Sequence, residues 1–317
     1  MHSAAGRADF LLIDIGNTFT KLQLADAAGL HGARRRVPTP ELTPSRLIAT
    51  LGRWRYRRVA LCSVVPAATE IIAETLAEPA LILKAGARRA AAQFGGVDLR
   101  GYSHRHKLGA DRLANLAGAL GRHGPGPLLV VSLGTAATFD VLDAEARFLG
   151  GVIAPGPDAL ANALHHRTAL LPLLAFPTHA YASPAPPALG LSTEGALRAA
   201  AFHGWRGMVK EILHAICEEH AARLGFATHG DCTTKIKIVS TGGVAARLAQ
   251  DVPELQIIDA GLTLDGLRRI ALAGGLSLLR RPRVAAGADA NRPVSEATIS
   301  ARSGGDDNTL PLAGLGS

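Results

Sequence analysis

The chain has 317 residues, 48% of them hydrophobic and 19% charged, which allows packed cores, excludes global disorder and fits two domains better than one. No apolar run reaches the ~20 residues of a membrane span, and the start lacks the basic-then-apolar layout of a leader peptide, so a soluble cytoplasmic protein is expected. The formal net charge of +8 raises nucleic-acid binding, but Arg34–Arg36 and the 53–58 stretch (RWRYRR) come with no nucleic-acid module pattern and read as solvated surface; an anionic substrate such as ATP would also gain from the positive field.

Residues 10–15 (FLLIDI) read as a buried strand, Gly16-Asn17 as a hairpin turn, and the alternating residues 21–25 as the returning strand. A second apolar strand covers 59–65, followed by a helix over 67–77 and a short strand at 81–84. Residues 110–120 place apolar side chains at spacings of three and four, the mark of a helix. The Gly- and Pro-rich stretch 121–127 is the expected boundary between a domain over 9–122 and another over 127–283. Beyond it come strands at 128–133, 137–142 and 148–153 and a Pro-rich loop at 177–187. A long helical region spans 192–220, with Ser192 or Thr193 as its N-cap. A strand at 236–240, a helix at 244–250, a short strand at 255–258 and a helix at 264–276 complete the pattern. Residues 285–317 have almost no large apolar side chains and read as a disordered tail.

The two halves echo each other. Ile13-Asp14-Ile15-Gly16-Asn17-Thr18 is a strand running into a Gly–Thr turn before a second strand, and Val131-Ser132-Leu133-Gly134-Thr135 repeats the arrangement. That is the pattern of a duplicated α/β fold holding one nucleotide between similar halves.

Four short stretches can carry chemistry. At Asp14-x-Gly16-Asn17-Thr18-x-x-Lys21, a tight turn exposes backbone N–H groups, Asn17, Thr18 and Lys21 add donors, and Asp14 suits a magnesium ion or its water shell. An ordinary hairpin would show the same residues. Gly134-Thr135 with Thr138 is a second candidate phosphate site, although threonine favours strands anyway. Asp111, at a helix start, either stabilises the helix dipole or accepts the proton of an attacking hydroxyl; Arg112 can pair with a substrate carboxylate. Thr241-Gly242-Gly243 permits close approach of a flat purine or makes a tight turn, and no G-x-G-x-x-G follows a strand. Cys62, Cys217 and Cys232 show no C-x-x-C pairing, and His104, His106, His165, His166 and His203 lack metal-site spacing, so neither a disulfide framework nor a zinc site is expected.

Taken in order, Asp14-Ile15-Gly16-Asn17-Thr18, Gly101-Tyr102 with Leu108-Gly109-Ala110-Asp111-Arg112, Leu133-Gly134-Thr135-Ala136-x-Thr138-x-Asp140, the 150–156 run GGVIAPG, Thr241-Gly242-Gly243 and the 262–267 run LTLDGL resemble type III pantothenate kinase, a family that includes proteins named Bvg accessory factor. The resemblance spans roughly residues 10–280. It implies an α/β fold of the acetate and sugar kinase, Hsp70 and actin type (ribonuclease H-like), two related domains clasping ATP in an interdomain cleft, and a homodimer with pantothenate near the subunit interface. It implies that Asp111 accepts the proton of the pantothenate hydroxyl, and that Tyr102, Gly109, Ala110, Asp111, Arg112 and Thr193 bind pantothenate. Asp14, Ile15, Gly16, Asn17, Thr18, Lys21, Gly134, Thr135 and Gly242 would hold ATP, with magnesium on Asp14 through water.

The chain departs from the family pattern twice. Ser132 stands where an aspartate commonly helps bind potassium or ammonium, so weakened or absent monovalent-cation dependence is expected. Ala199-Ala200-Ala201 replaces a Ser-Gly pair after Thr193. A different kinase on the same fold, or a regulator binding nucleic acid or a partner, remains as an alternative; the Gly101–Arg112 segment argues against the first and the intact Asp14, Lys21 and Asp111 against the second.

Overall fold

Strand β1 (Ala8–Ile15) is central because it is apolar on both faces. Phe10 and Leu12 face one layer, and Leu11, Ile13 and Ile15 face the other. The computed structural model describes residues 7–78, 80–174 and 185–279. β1 pairs antiparallel with β2 (Phe19–Ala25), and β2 antiparallel with β3 (Leu30–Pro38). On its other side β1 runs parallel to β4 (Tyr56–Ser63), which runs parallel to β5 (Ala80–Ile82).

The second sheet repeats this plan strand for strand. β6 (Leu128–Leu133) is central, antiparallel to β7 (Ala136–Leu142), which is antiparallel to β8 (Phe148–Pro155). β9 (Lys237–Thr241) runs parallel to β6, and β10 (Ile257–Ile258) parallel to β9. Both sheets thus follow one order and one set of directions, third-second-first-fourth-fifth, as the Gly–Thr echo led one to expect. This is the α/β fold expected from the resemblance. β11 (Ser277–Leu278) returns to pair antiparallel with β5.

Five layers result. Helices α1 (Pro44–Leu51) and α2 (Pro66–Thr75) cover the outer face of the first sheet. Helices α3 (Ala110–His123) and α9 (Leu262–Leu272) lie between the sheets: their leucines share one core with Leu12 of β1 and Val130 of β6. They touch through glycines, since a Cβ on Gly118 would collide with the Leu262 carbonyl and one on Gly266 with the Ala114 carbonyl. The outer face of the second sheet packs on α6 (Trp205–His220), α7 (His229–Lys235) and α8 (Ala245–Leu248). Helix α4 (Pro157–Arg167) follows β8, and α5 (Thr193–Ala199) opens under the expected N-cap, with Ser192 Oγ accepting from Gly195 N at 3.0 Å. A π-helical turn at Ala200–Gly204 joins α5 to α6.

The stretch 121–127 separates the two sheets along the chain, yet α9 and β11 carry the chain back to the first, and the described residues form one compact unit. Five elements have no counterpart in the expectations: β3, α1, α4, α7 and β11. β3 carries Arg34, Arg35 and Arg36 and forms because β2 offers an open edge, with Arg35 resting on the Trp54 ring at 4.0 Å. Helix α1 did have a local signal, Thr43 as N-cap before Pro44, with Thr43 Oγ1 accepting from Arg46 N at 3.2 Å. No described helix is long and apolar enough to cross a membrane. The expected tail and residues 177–184 of the expected loop lie outside the described residues.

Candidate active site

Alternation along β1 aims Asp14. Phe10 and Leu12 face the layer between the sheets, so Asp14 faces it too, at the end of the strand where α3 begins. Asp14 is only 4% exposed. Lys21, its register partner on β2, donates Nζ to Oδ2 at 2.9 Å, and Cys62, its register partner on β4, brings Sγ to 3.6 Å from Oδ1. Burial first, then the negative charges of Asp14 and Asp111, hold the Cys62 thiol well above its ordinary pKa.

Asp111 lies in the first turn of α3, half-buried. Burial pushes its carboxyl above the usual carboxylate range, the nearby Asp14 charge adds to this, and the amides and charge of the helix start pull the other way. Gly109 makes room for it: a Cβ there would lie 2.5 Å from Asp111 Oδ1. Two carboxylates therefore lie close enough to influence each other, Asp14 paired with a lysine and Asp111 without one.

The two hairpin tips converge above these groups. Gly16 N closes the first turn on Phe19 O at 3.2 Å, and Gly134 N closes the second on Ala136 O at 3.0 Å. Thr18 Oγ1 and Thr135 Oγ1 lie 2.7 Å apart. Each tip is braced by the strand or turn beyond it. Thr39 N donates to Thr18 O at 2.9 Å, Thr39 Oγ1 donates to Gly16 O at 2.7 Å, and Gly156 N donates to Thr135 O at 3.1 Å. Asn17 is exposed at the first tip, and Ile15 is buried beneath it. Gly242 has φ +105° and packs its Cα face on the backbone of Leu133, leaving no room for a side chain beside Gly134.

Arg112, expected to pair with a substrate carboxylate, is also engaged within the chain. Its fork is engaged by Asp140 of β7, with Nε at 3.0 Å and Nη2 at 2.5 Å from Oδ1. Both side chains are buried. Burial lowers the Arg112 pKa, and the hydrogen bonds and charge of Asp140 more than reverse that. Burial also pushes the Asp140 carboxyl up, against the pull of the Arg112 hydrogen bonds and charge. Tyr102 packs against Phe148 with ring centres 4.9 Å apart and planes tilted by 58°, and the Arg112 guanidinium lies 6.0 Å from the Phe148 ring.

The structure thus brings together Asp14, Lys21, Asp111, the two tips and Gly242, with Tyr102 and Arg112 grouped around Phe148. Thr193 stands apart, exposed at the start of α5, and no hydrogen bond or ion pair among the described residues joins it to Asp111. Ser132 is half-buried on β6, two residues before Gly134, just as Asp14 is two before Gly16. Three neighbours escaped sequence reasoning: Cys62, Thr39 and the Arg112-binding role of Asp140. Only Asp140 had a signal, its place in the Thr138-x-Asp140 run. Among the described residues no group of three or more His, Cys, Asp or Glu is placed to hold a metal ion.

A family model described as type III pantothenate kinase matches residues 10–215. A curated type III pantothenate kinase of Akkermansia muciniphila is 38% identical over 271 residues, covering 85% of this chain and 99% of its own. Relatives with the same description from Methylacidiphilum infernorum and Thermus thermophilus are each 32% identical, over 86% and 84% of this chain and 90% and 99% of their own lengths.

Proposed function

The chain belongs to the type III pantothenate kinase family, and from that premise we propose how its own residues carry out ATP-dependent phosphorylation of pantothenate to 4′-phosphopantothenate, the first step of coenzyme A synthesis. The observation that carries this assignment of roles is the meeting of Thr18 and Thr135 at 2.7 Å beside Asp14 and Asp111. Two hydroxyls from two duplicated hairpins converge where backbone N–H groups are also presented, which suits the oxygens of a triphosphate.

Asp14, Ile15, Gly16, Asn17, Thr18 and Lys21 grip the phosphates from the first sheet, and Gly134, Thr135 and Gly242 grip them from the second. Asp111 accepts the proton of the attacking hydroxyl; its raised pKa makes it a better base than an exposed carboxylate. Tyr102, Gly109, Ala110 and Arg112 line the pantothenate side, where Asp140 fixes the Arg112 fork and leaves Nη1 outside it.

Magnesium fits this donor set: Asp14 is one buried carboxylate rather than a cage, which suits an ion held mostly by phosphate oxygens and water. Bound there, it would neutralise charge on the transferring phosphoryl group. A homodimer accounts for Thr193 lying away from Asp111 in one protomer, with pantothenate near the subunit interface. A cytoplasmic location follows from the pathway.

The test is ADP release with ATP, magnesium and pantothenate against a control lacking pantothenate. Pantothenate-dependent release, with 4′-phosphopantothenate as product, is expected. ATP binding without pantothenate-dependent release would overturn the assignment.

A further inference from the structure

Four arginines from three stretches of chain converge on a cavity of about 610 Å³ that takes no part in the site described above. Arg34 comes from β3, Arg122 from the last turn of α3, and Arg268 and Arg269 from α9, with Gly29 and Gly261 in the wall. The cavity lies at the far end of the β1–β2 hairpin, where Phe10 pairs with Ala25; the end that carries Asp14 pairs Ile15 with Thr20. Five residue steps along the strand from one pair to the other, at ~3.3 Å each, put roughly 17 Å between the two ends.

The cavity is short of negative charge. Asp265 is shared, Oδ1 taking Arg268 Nε at 2.7 Å and Oδ2 taking Arg269 Nε at 2.8 Å. Asp259 is shared between Arg122 at 2.8 Å and His123 at 3.2 Å. The Asp26 carboxylate accepts from the amides of Ala28 and Gly29 in its own turn and meets His31 at 2.6 Å. Arg34 Nη1 donates to the Ala260 carbonyl, and Arg34 has no carboxylate partner among the described residues. Four guanidiniums therefore meet three carboxylates, Asp265, Asp259 and Asp26, an excess of about one positive charge, and guanidiniums do not shed that charge by losing protons.

A recess lined by one sign of charge concentrates counter-ions, and planar guanidinium forks match phosphate oxygens. The volume lies within the ~300–1,000 Å³ of small-molecule sites. We propose that this recess binds a small phosphate-bearing dianion, at a site separate from the one that holds the ATP phosphates.

The test is titration calorimetry and thermal unfolding of the full chain saturated with magnesium and a non-hydrolysable ATP analogue, so that the nucleotide site is filled. Inorganic phosphate and glycerol 3-phosphate are the two probes, with chloride at equal ionic strength as control and a short DNA duplex as a third arm. Saturable one-to-one binding of a phosphate probe is expected, with a Tm rise of roughly 5 °C at about a hundredfold excess over Kd. Tighter binding of glycerol 3-phosphate points to an organic ester as the ligand, and equal or tighter binding of inorganic phosphate to the free ion. Arg34→Glu, which supplies a carboxylate where one is lacking, should weaken binding at least tenfold while pantothenate-dependent ADP release continues. Arg122→Gln gives an independent variant. No saturable binding of either probe, binding unchanged in both variants, or saturation by the DNA duplex alone would overturn the proposal.

Discussion

Arg112 and Asp140 form a buried bidentate ion pair that ties helix α3 to strand β7, with the guanidinium fork 2.5–3.1 Å from the carboxylate oxygens. One residue before Arg112 is Asp111, so the pair that joins the second sheet to the middle layer also fixes the start of the helix bearing the proposed base.

Asp140→Asn would leave the Arg112 charge buried without its counter-ion. Removing one member of a buried pair costs on the order of 3–5 kcal/mol, or a Tm lower by roughly 10 °C for a chain of this size. Replacing both, as Arg112→Met with Asp140→Leu, should recover much of that loss. A single Asp140→Asn variant melting within about 2 °C of the parent would show that the pair does not hold the layers together.

Asp111→Asn is expected to lower kcat by about 10²- to 10⁴-fold with little change in ATP affinity. Because burial and Asp14 raise the Asp111 pKa above its unfolded value near 3.9, its contribution to stability is fully present below that value and is lost as pH rises through the folded pKa. The variant should therefore be at least as stable as the parent at pH 7.5, and its advantage should vanish near pH 4. The acid limb of kcat/KM in the parent should lie above the ordinary carboxylate range; a limb near pH 4 would remove Asp111 as the titrating base.

Thr18→Val and Thr135→Val should each raise KM for ATP, and the double variant should fall short of the product of the two single effects, because the hydroxyls share one contact. Stability should change by less than about 1 kcal/mol, since both residues are exposed. Strictly multiplicative KM effects would place the threonines at independent sites.

Gly266→Ala sets two effects against each other. Alanine gains about 1 kcal/mol of helix propensity, but its Cβ would enter the Ala114 carbonyl on α3, which is backbone and cannot swing aside. Overpacking of this kind costs about 1–3 kcal/mol, so net destabilisation is expected in a denaturant titration. A stabilised variant would mean that α3 and α9 can separate freely.

Ser132 occupies on β6 the place that Asp14 occupies on β1, with a neutral hydroxyl for a carboxylate. Turnover in sodium-only buffer should match turnover in potassium, and Ser132→Asp should introduce stimulation by potassium. A strict potassium requirement in the parent would refute this reading of Ser132.

The sequence by itself determined the duplicated plan and most of the residues that meet at the two hairpin tips. Near-continuous apolar runs in 10–15 and 128–133 specify strands buried on both faces, and a Gly–Thr turn after each is a local signal that survives without knowledge of neighbours. Asp14, Lys21, Thr18 and Thr135 lie on or beside those turns, so they were legible too. Tertiary structure alone decided what depends on which strand lies beside which. The arginine-rich β3 exists because β2 offers an edge, and Cys62 reaches Asp14 across 48 residues of chain because β4 pairs with β1 in that register. Arg112 meets Asp140 across 28 residues because β7 turns its inner face towards α3. The same reason applies to the basic cavity: Arg34, Arg122 and Arg268 are ordinary surface-type residues in the sequence, and only the return of α9 to the first sheet gathers their like charges into one recess.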